Sequence, residues 1–292
     1  MLSINSTDKF EHTRCPLCGS NNHSLVFEGI DRKLRVSKER FRVVKCQSCG
    51  LIFNNPRLKE KFLSEYYPRA YSPYQVFKTN LKRNLLYQIL DSIVDFKRCI
   101  MFRHIARLSE EHDGKLLDVG CGNGKLLYVM KKMGMKVYGI EPDKDCWEYV
   151  TKNLGIEAYN GTLMDVSFPD SFFDVVIFRH SFEHLMNPNE VLKEVHRIIK
   201  KGGTLVIILP NAGSVEARLF RERWSGFDLP RHICHYTRKT IGAVMERNDF
   251  KVITIRLLLP TTFPESIQYL FLGTLILGKS LRKVTYLLSL FI

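Results

Sequence analysis

The sequence lacks an apolar stretch at its amino terminus and any hydrophobic run long enough to cross a bilayer. The first residues, MLSINSTDKFEHTR, carry acidic side chains, so we expect neither a secretory signal nor a transit peptide there. Two apolar runs near the carboxyl end, 269–278 and 284–292, are shorter than the roughly 18 to 20 residues that a spanning helix needs. We therefore expect a cytoplasmic protein whose tail, residues 259–292, makes a peripheral membrane contact, makes a dimer contact or closes the sheet.

Internal repeats and low-complexity segments are also absent, and acidic residues are few beside the basic ones. The chain has 44 Lys and Arg against 30 Asp and Glu, a formal net charge of +14. This surplus favours polyanionic partners such as RNA, phosphorylated substrates or anionic lipid, without choosing among them. With 292 residues, of which 45% are hydrophobic, the chain is long enough for one α/β core and a smaller module.

Strand-like and helix-like patterns alternate through the segment 113–258. Such alternation is typical of a Rossmann-like α/β fold, with a doubly wound, mostly parallel sheet between helices. The pair Gly202-Gly203 is expected to end the last of these helices. Before this segment, the basic linker 57–112 contains a helical pattern over 81–108. The predicted strands are 115–119, 136–140, 156–159, 173–178 and 204–209, and the predicted helices are 123–133, 143–154 and 189–200.

Four of the eight cysteines form two CxxC pairs in a strand-rich module, residues 1–56: Cys15 with Cys18 and Cys46 with Cys49. Each pair is followed by a glycine that relieves a tight turn, and four such sulfurs complete a tetrahedral Zn²⁺ site. The stretch between the pairs exceeds the usual ribbon spacing, which a longer hairpin accommodates. Because four thiolates leave no open coordination position, we expect this zinc to be structural. A redox role is the rival interpretation, but a thioredoxin-like motif occurs once and begins a helix.

A glycine loop, Asp118-Val119-Gly120-Cys121-Gly122-Asn123-Gly124, follows the first strand of the predicted sheet. Its glycines allow a sharp turn and a close approach to a ligand, and the next helix offers free N–H groups to an anionic end. The dinucleotide pattern GxGxxG fails because Lys125 stands at its last position. Glu141 follows Gly120 by about 20 residues, where a carboxylate can accept hydrogen bonds from both ribose hydroxyls. The spacing therefore predicts a nucleoside-bearing ligand.

The segments LLDVGCGNGKLL and GIEPD resemble the first two motifs of the class I, Rossmann-like S-adenosylmethionine-dependent methyltransferases, and the similarity continues from 115 to 211. The resemblance implies that the glycine loop holds the methionine portion, that Glu141 holds the ribose and that Thr162 and Leu163 line the adenine. Many members have Asp where this chain has Thr162. Arg179 and His180 are expected to close the site. The implied cofactor-binding residues are Asp118, Gly120, Gly122, Gly124, Glu141, Thr162, Leu163, Arg179 and His180.

The acceptor is indicated only by resemblance. The block CQSCGLIFNNPR followed by EYY is similar to an N-terminal zinc module that precedes many of these methyltransferase domains, especially those that modify sugars, polysaccharide precursors and other small metabolites. We therefore expect methyl transfer to an oxygen or carbon of a sugar-like, glycan-precursor or other small acceptor. An RNA methyltransferase, which the net charge suits, and a catalytically inactive zinc-module binding protein are the alternatives.

Three histidines are candidates for the base that removes a proton from the acceptor: His180, His232 and His235. The last two lie in the segment 227–237, which resembles a family segment near the substrate pocket. Packing or capping of a loop is the alternative role for both.

His180, Glu183 and His184 also spell HxxEH, which on a helix presents two imidazoles and a carboxylate to zinc in one class of metalloprotease. The motif follows an apolar strand directly and Pro188 comes soon after, so His180 is expected at a strand end. Because the methyltransferase pattern has the same EH at this place, a protease-type metal site is disfavoured.

Overall fold

The computed structural model describes residues 6–68 and 114–256 together with Ser266 and Tyr269. The described residues divide into two compact units that interleave along the chain. The parallel-sheet unit contains residues 114–182 and 190–208. The cysteine unit contains residues 6–68, 183–189 and 209–256, with Ser266 and Tyr269. The predicted helix 81–108 and, apart from those two residues, the predicted tail 259–292 lie outside the described residues.

Eleven strands and six α-helices are described. The strands are β1 (Phe10–Glu11), β2 (His23–Ile30), β3 (Arg40–Cys46), β4 (Ile52–Asn54), β5 (Arg57–Leu58), β6 (Lys115–Val119), β7 (Lys136–Glu141), β8 (Glu157–Asn160), β9 (Phe173–Arg179), β10 (Ile199–Ile208) and β11 (Cys234–His235). The helices are α1 (Glu60–Leu63), α2 (Lys125–Lys132), α3 (Lys144–Lys152), α4 (Pro188–Ile198), α5 (Val215–Phe220) and α6 (Arg238–Arg247).

The parallel-sheet unit is built on five strands in the order β10-β9-β6-β7-β8, and every neighbouring pair is parallel. The central strands are apolar on both faces because helices cover both sides of such a sheet. Leu116 and Leu117 of β6 and Val176 and Ile177 of β9 are fully buried. This strand order and pairing confirm the predicted Rossmann-like α/β class.

The end of α4 differs from the sequence prediction. The helix ends at Ile198, and the strand that follows begins at once with Ile199, which pairs with Phe173. Gly202 and Gly203 therefore lie inside β10, at an irregularity in its register before Thr204, and Gly202 has a left-handed φ of 82°. The prediction that these glycines cap the helix is wrong, because an apolar residue at 199 already enters the sheet and the glycines accommodate the bulge that follows.

The cysteine unit combines the amino-terminal module with the chain that follows β10. Its four-stranded antiparallel sheet has the order β11-β4-β3-β2, so that the last of the described strands pairs with β4. Asn54 reinforces this pairing, since its side chain donates to the backbone oxygen of His232 at 2.9 Å. Apolar side chains from both parts of the sequence share one core, among them Phe41, Tyr66, Trp224 and Phe227.

The boundaries of the two structural units therefore differ from those of the four predicted segments, which are 1–56, 57–112, 113–258 and 259–292. The chain after β10, predicted as part of the methyltransferase segment, contributes strand β11 and aromatic core residues to the cysteine unit. The segment boundaries themselves stay a prediction. Within the described ranges, no helix has the length and apolar character required to pass through a bilayer.

Candidate active site

The glycine loop after β6 has the tight backbone that its sequence predicts. Gly120, Gly122 and Gly124 all have left-handed φ values, of 78°, 55° and 70°. A Cβ on Gly120 would lie only 2.6 Å from the Cβ of Ser181, and one on Gly124 only 2.8 Å from a methyl of Val150. Both the conformation and the space therefore require glycine at these positions.

Glu141, at the end of β7, is held beside this loop. Its Oε2 accepts a hydrogen bond from the backbone N–H of Gly122 at 2.7 Å, and its Oε1 accepts one from Asp143 at 2.9 Å. Burial raises the pKa of this carboxyl to about 7, against the opposing effect of the two backbone donors. Each oxygen keeps a second lone pair, so the carboxylate is oriented and can still accept hydrogen bonds from two hydroxyls.

Asp118 lies on β6, directly before the loop, and is 1% exposed. Neither of its carboxylate oxygens has a hydrogen-bond partner among the residues that the structure describes. Burial raises its pKa to about 7, the positive charge of Arg179 lowers it, and the neighbouring Glu141 raises it further. Asp118 and Glu141 thus place two buried carboxyls at the carboxyl ends of the neighbouring strands β6 and β7. Because no described residue donates a hydrogen bond to Asp118, the pair favours a ligand with a positive charge and N–H groups.

Thr162 and Leu163 lie in the turn after β8. Leu163 is buried, and Thr162 precedes a short 3₁₀ helix, residues Leu163–Asp165. The Thr162 N–H and hydroxyl both donate to Oδ2 of Asp165, each at 2.7 Å. Asp165 thus places a carboxylate beside the position where many family members have Asp. Sequence reasoning missed it, although the Thr-x-x-Asp spacing is that of a capping box.

Arg179 and His180 lie where β9 ends. His180 is exposed and has a left-handed φ of 57°, which is uncommon for a residue with a side chain. Its N–H donates to the backbone oxygen of Ile208 at 2.8 Å, which fixes this turn against β10. All nine predicted cofactor-binding residues therefore belong to the parallel-sheet unit.

His232 and His235 belong to the cysteine unit, and both are buried. Nδ1 of His232 lies 2.8 Å from the backbone oxygen of Gly226 and donates to it, since a carbonyl can only accept. Nε2 of His235 lies 3.1 Å from Oδ1 of Asn54 and donates to it. Burial lowers the pKa of His232 to about 4 and that of His235 to about 3, and in each case the second cause is a neighbouring histidine. Both imidazoles are therefore tied into the packing of the unit.

The two CxxC pairs come together in the cysteine unit. Sγ of Cys15 lies 3.5 Å from Sγ of Cys49, Sγ of Cys18 lies 3.5 Å from Sγ of Cys46, and all four sulfurs lie within 4.8 Å of one another. In each knuckle the glycine after the second cysteine donates its N–H to the first cysteine's backbone oxygen at 2.9 Å.

A tetrahedral zinc with four thiolates separates its sulfurs by about 3.8 Å, given bonds of about 2.3 Å. The four sulfurs are therefore spaced as that group requires. Burial raises the pKa of Cys15 and raises that of Cys49 to about 11. Burial acts on Cys46 in the same direction, but hydrogen bonds from the backbone of Cys49 and Ser48 and from the Cys18 and Cys49 thiols lower its pKa to about 7. A bound metal would therefore have to displace thiol protons from part of the cluster.

Comparison with known proteins identifies this architecture. A family model described as a methyltransferase domain matches residues 94–255, more than half of the chain. Demethylmenaquinone methyltransferase of Alkalihalophilus pseudofirmus is 28% identical over 151 residues, which are 46% of this chain and 61% of the relative. Thiol S-methyltransferase TMT1B of Mus musculus is 28% identical over 180 residues, 57% of this chain and 70% of the relative. The aligned part of this chain covers about three fifths of the length of the bacterial demethylmenaquinone methyltransferases.

Among solved structures, a putative sarcosine dimethylglycine methyltransferase from Galdieria sulphuraria aligns with a TM-score of 0.48 at 12% identity, over 65% of this chain and 77% of that one. A SAM-dependent methyltransferase of Thermotoga maritima, described as a possible histamine N-methyltransferase, aligns with a TM-score of 0.42 at 22% identity, over 55% and 78%.

Proposed function

The chain belongs to the methyltransferase-domain family, and from this premise we propose that it is an S-adenosylmethionine-dependent methyltransferase that acts on a small acceptor. The observation that carries the proposal is the arrangement of Glu141 and Asp118 around the glycine loop. The N–H of Gly122 orients the buried carboxylate of Glu141, and none of the residues that the structure describes donates a hydrogen bond to the carboxylate of Asp118. These residues fit the two polar ends of S-adenosylmethionine.

Glu141 would accept from the ribose hydroxyls with its free lone pairs. Asp118 would face the positively charged amino group of the methionine portion, which neutralises a carboxylate that is otherwise costly to bury. Leu163 would contact the adenine, with Thr162 and Asp165 as the polar groups at its edge. Arg179 and His180 would close the site after β9.

S-adenosylmethionine supplies a sulfonium-bound methyl group: the acceptor forms a bond to the methyl carbon as the carbon–sulfur bond breaks, and the acceptor's proton leaves to a base. The protein's contribution is alignment of the acceptor and removal of that proton. Of the three predicted candidates we favour His180 as the base, because it is exposed at the end of β9 whereas His232 and His235 are buried and hydrogen-bonded. Replacement of His180 by Gln is expected to lower kcat by about 10² or more while S-adenosylmethionine still binds.

The acceptor class is proposed from the family resemblance of the cysteine module: an oxygen or carbon of a sugar-like or glycan-precursor molecule. The relatives' names point to different acceptors, namely demethylmenaquinone, a thiol and, for a protein of Rauvolfia serpentina, the alkaloid ajmaline. All are small molecules, which supports the coarser part of the proposal. A structural zinc held by Cys15, Cys18, Cys46 and Cys49 belongs to the same proposal, supported by the sulfur spacing.

Calorimetry with S-adenosylmethionine tests the donor site. We expect the native protein to bind S-adenosylmethionine and Glu141→Gln to bind it at least about tenfold more weakly. The control Glu148→Gln changes a carboxylate on the exposed face of α3 and is expected to leave the affinity unchanged. Equal affinity in the native protein and Glu141→Gln contradicts the assigned site, and absence of binding favours the inactive binding protein.

An RNA acceptor is the second candidate, favoured by the net charge of +14. Turnover of labelled S-adenosylmethionine with a cell extract separated into RNA, lipid and small-molecule fractions distinguishes the two. We expect label in the small-molecule or lipid fraction, and label in RNA would reverse the ranking. Peripheral membrane contact through the tail and a cytoplasmic location remain predictions.

A further inference from the structure

Three side chains that commonly bind metals meet in the cysteine unit, away from the four cysteines. Glu183, His184 and His232 each direct one donor atom into a common space, and these three atoms all lie within 4.8 Å of one another. Oε1 of Glu183 is 3.9 Å from Nε2 of His232, and the two imidazole rings have centroids 4.7 Å apart. Glu183 and His184 come from the HxxEH motif, but the structure joins them to His232 in place of His180.

Both histidines are held with the same nitrogen turned outward from the cluster. Nδ1 of His184 lies 2.9 Å from the backbone oxygen of Arg231 and also 2.9 Å from the hydroxyl oxygen of Tyr67, which can accept as well. Nδ1 of His232 lies 2.8 Å from the backbone oxygen of Gly226. Because a carbonyl oxygen only accepts, both Nδ1 atoms carry the proton, and in the neutral rings both Nε2 atoms hold a lone pair. A histidine that binds a metal usually donates its other ring N–H to a carbonyl or carboxylate in this way.

The backbone that carries these side chains is also fixed. The N–H of Ile233, next to His232, donates to the backbone oxygen of Glu183 at 2.8 Å, which ties the two ligand-bearing segments together. Glu183 is 2% exposed and His232 is 8% exposed. A buried carboxylate whose oxygen converges with two imidazole nitrogens is stabilised when a cation is bound there.

Asp228 also places a carboxylate near the cluster, with Oδ2 3.9 Å from Nε2 of His232. Its charge is already matched by Arg231, which donates two hydrogen bonds to Oδ1 at 3.0 and 2.6 Å, and by Lys33, whose Nζ lies 3.4 Å from Oδ2. Asp228 is thus paired with two cations, and Glu183 is the carboxylate whose oxygen converges with the two histidine nitrogens.

We propose that Glu183, His184 and His232 form a second metal site, which binds a divalent transition-metal ion such as Zn²⁺ through two Nε2 atoms and one carboxylate. Two imidazoles and a carboxylate suit zinc, iron, cobalt or manganese better than calcium. Tetrahedral ligands at about 2.0 to 2.1 Å from zinc lie about 3.3 Å apart, so the 3.9 Å between Glu183 and His232 closes by a small side-chain movement.

Three protein ligands leave at least one coordination position open, in contrast to the four thiolates of the cysteine cluster. This position would take water or an anionic oxygen ligand. The proposal is independent of the S-adenosylmethionine site, because all three ligands belong to the cysteine unit and none belongs to the predicted donor set.

Zinc content distinguishes the two sites. The purified protein, dialysed against buffered Zn²⁺ and analysed by atomic absorption, is expected to hold about two ions per chain, one at each cluster. Glu183→Gln, which keeps the side chain's shape, and His184→Asn are expected to hold about one. His196→Asn, which removes an exposed histidine on α4, is the matched control and is expected to hold two. Unchanged zinc content in both ligand variants, or a single ion in the native protein, overturns the proposal.

A spectroscopic measurement on the native protein covers the case in which the variants fail to fold. In long-range ¹H–¹⁵N NMR spectra of histidine-labelled protein, Zn²⁺ is expected to shift the Nε2 signals of two histidines, whose Nδ1 atoms remain protonated. S-adenosylmethionine binding, measured in parallel, reports on the proposed donor site separately. Histidine signals that titrate with pH and do not respond to Zn²⁺ identify the cluster as a hydrogen-bonded acid–base group and overturn the proposal.

Discussion

The guanidinium of Arg231 donates a hydrogen bond to each carboxylate oxygen of Asp31, at 2.6 and 3.2 Å, although the two residues are 200 positions apart in the sequence. Both side chains are fully buried. The same guanidinium also donates to Asp228 and to the backbone oxygen of Tyr66. One cation thus joins the amino-terminal module to the segment that carries His232.

We expect Arg231→Met to lower the free energy of unfolding by about 3 to 5 kcal/mol, because it removes the cation that Asp31 contacts and leaves Asp228 with Lys33 alone. Asp31→Asn is expected to lower the free energy of unfolding by less, since the amide keeps one hydrogen-bond acceptor and Asp228 still balances the charge of Arg231. Urea unfolding followed by circular dichroism measures both. Equal, small losses in the two variants would show that the network is solvated and contributes little.

Two glycine-to-alanine substitutions test whether the loop requires glycine for its backbone conformation and its close packing. Gly120→Ala places a Cβ 2.6 Å from that of Ser181 at a left-handed φ, and we expect it to cost about 1 to 3 kcal/mol and to weaken S-adenosylmethionine binding. Gly242→Ala, within α6, meets no atom within 4 Å and is expected to stabilise the protein by about 0.5 to 1 kcal/mol. Thermal unfolding and calorimetry on both variants check the contrast, which fails if Gly120→Ala behaves like Gly242→Ala.

The pH dependence of donor binding follows from Glu141 and Asp118, whose pKa values burial raises from 4.5 and 3.8 to about 7. A raised pKa in the folded protein means that the protonated carboxyl contributes to the free energy of unfolding. This contribution is fully present below about pH 4 and is lost as the pH rises through 7, because the folded protein must then bury the charged carboxylates. A cationic ligand prefers those charges. We therefore expect the Kd for S-adenosylmethionine to fall as the pH rises from 5.5 to about 7 and then to level off. Each carboxyl that loses its proton on binding contributes up to about tenfold per pH unit.

Calorimetry across this range, repeated on Glu141→Gln, measures the dependence. The variant is expected to keep only the part that Asp118 contributes. A Kd that does not vary with pH in the native protein would mean that both carboxyls keep their protonation state when the ligand binds.

Removal of the metal from the cysteine cluster is expected to destabilise the cysteine unit. Cys18→Ser leaves three thiolates, and we expect loss of one zinc per chain and a lower unfolding temperature. Cys146→Ala, which removes a buried thiol on α3 outside the cluster, is the control and is expected to keep its zinc. Equal zinc content in both variants would argue against the cluster as a metal site.

The sequence predicted the parallel sheet well because its signals are local. Apolar runs mark β6 and β9. The glycines of the loop permit the left-handed backbone that Gly120 and Gly122 adopt. The CxxC knuckles are likewise set by the residues within each turn. Features that arise from packing between distant segments carried no such signal: the pairing of β11 with β4, the Arg231–Asp31 contact and the meeting of His232 with Glu183. At Gly202-Gly203 the local signal misled, because a bulge and a helix cap use the same residue.

The pairing of β11 with β4 has a consequence for synthesis of the chain. On the ribosome, residues 6–68 emerge before residues 209–256. Until residue 235 has been added, β4 remains an open sheet edge and Asn54 lacks the backbone oxygen of His232. The amino-terminal strands are therefore translated before the parallel sheet, but their own sheet is completed after it. A nascent chain that stalls after β10 exposes that edge, together with Phe41 and Tyr66, the aromatic side chains that Trp224 and Phe227 would join in one core.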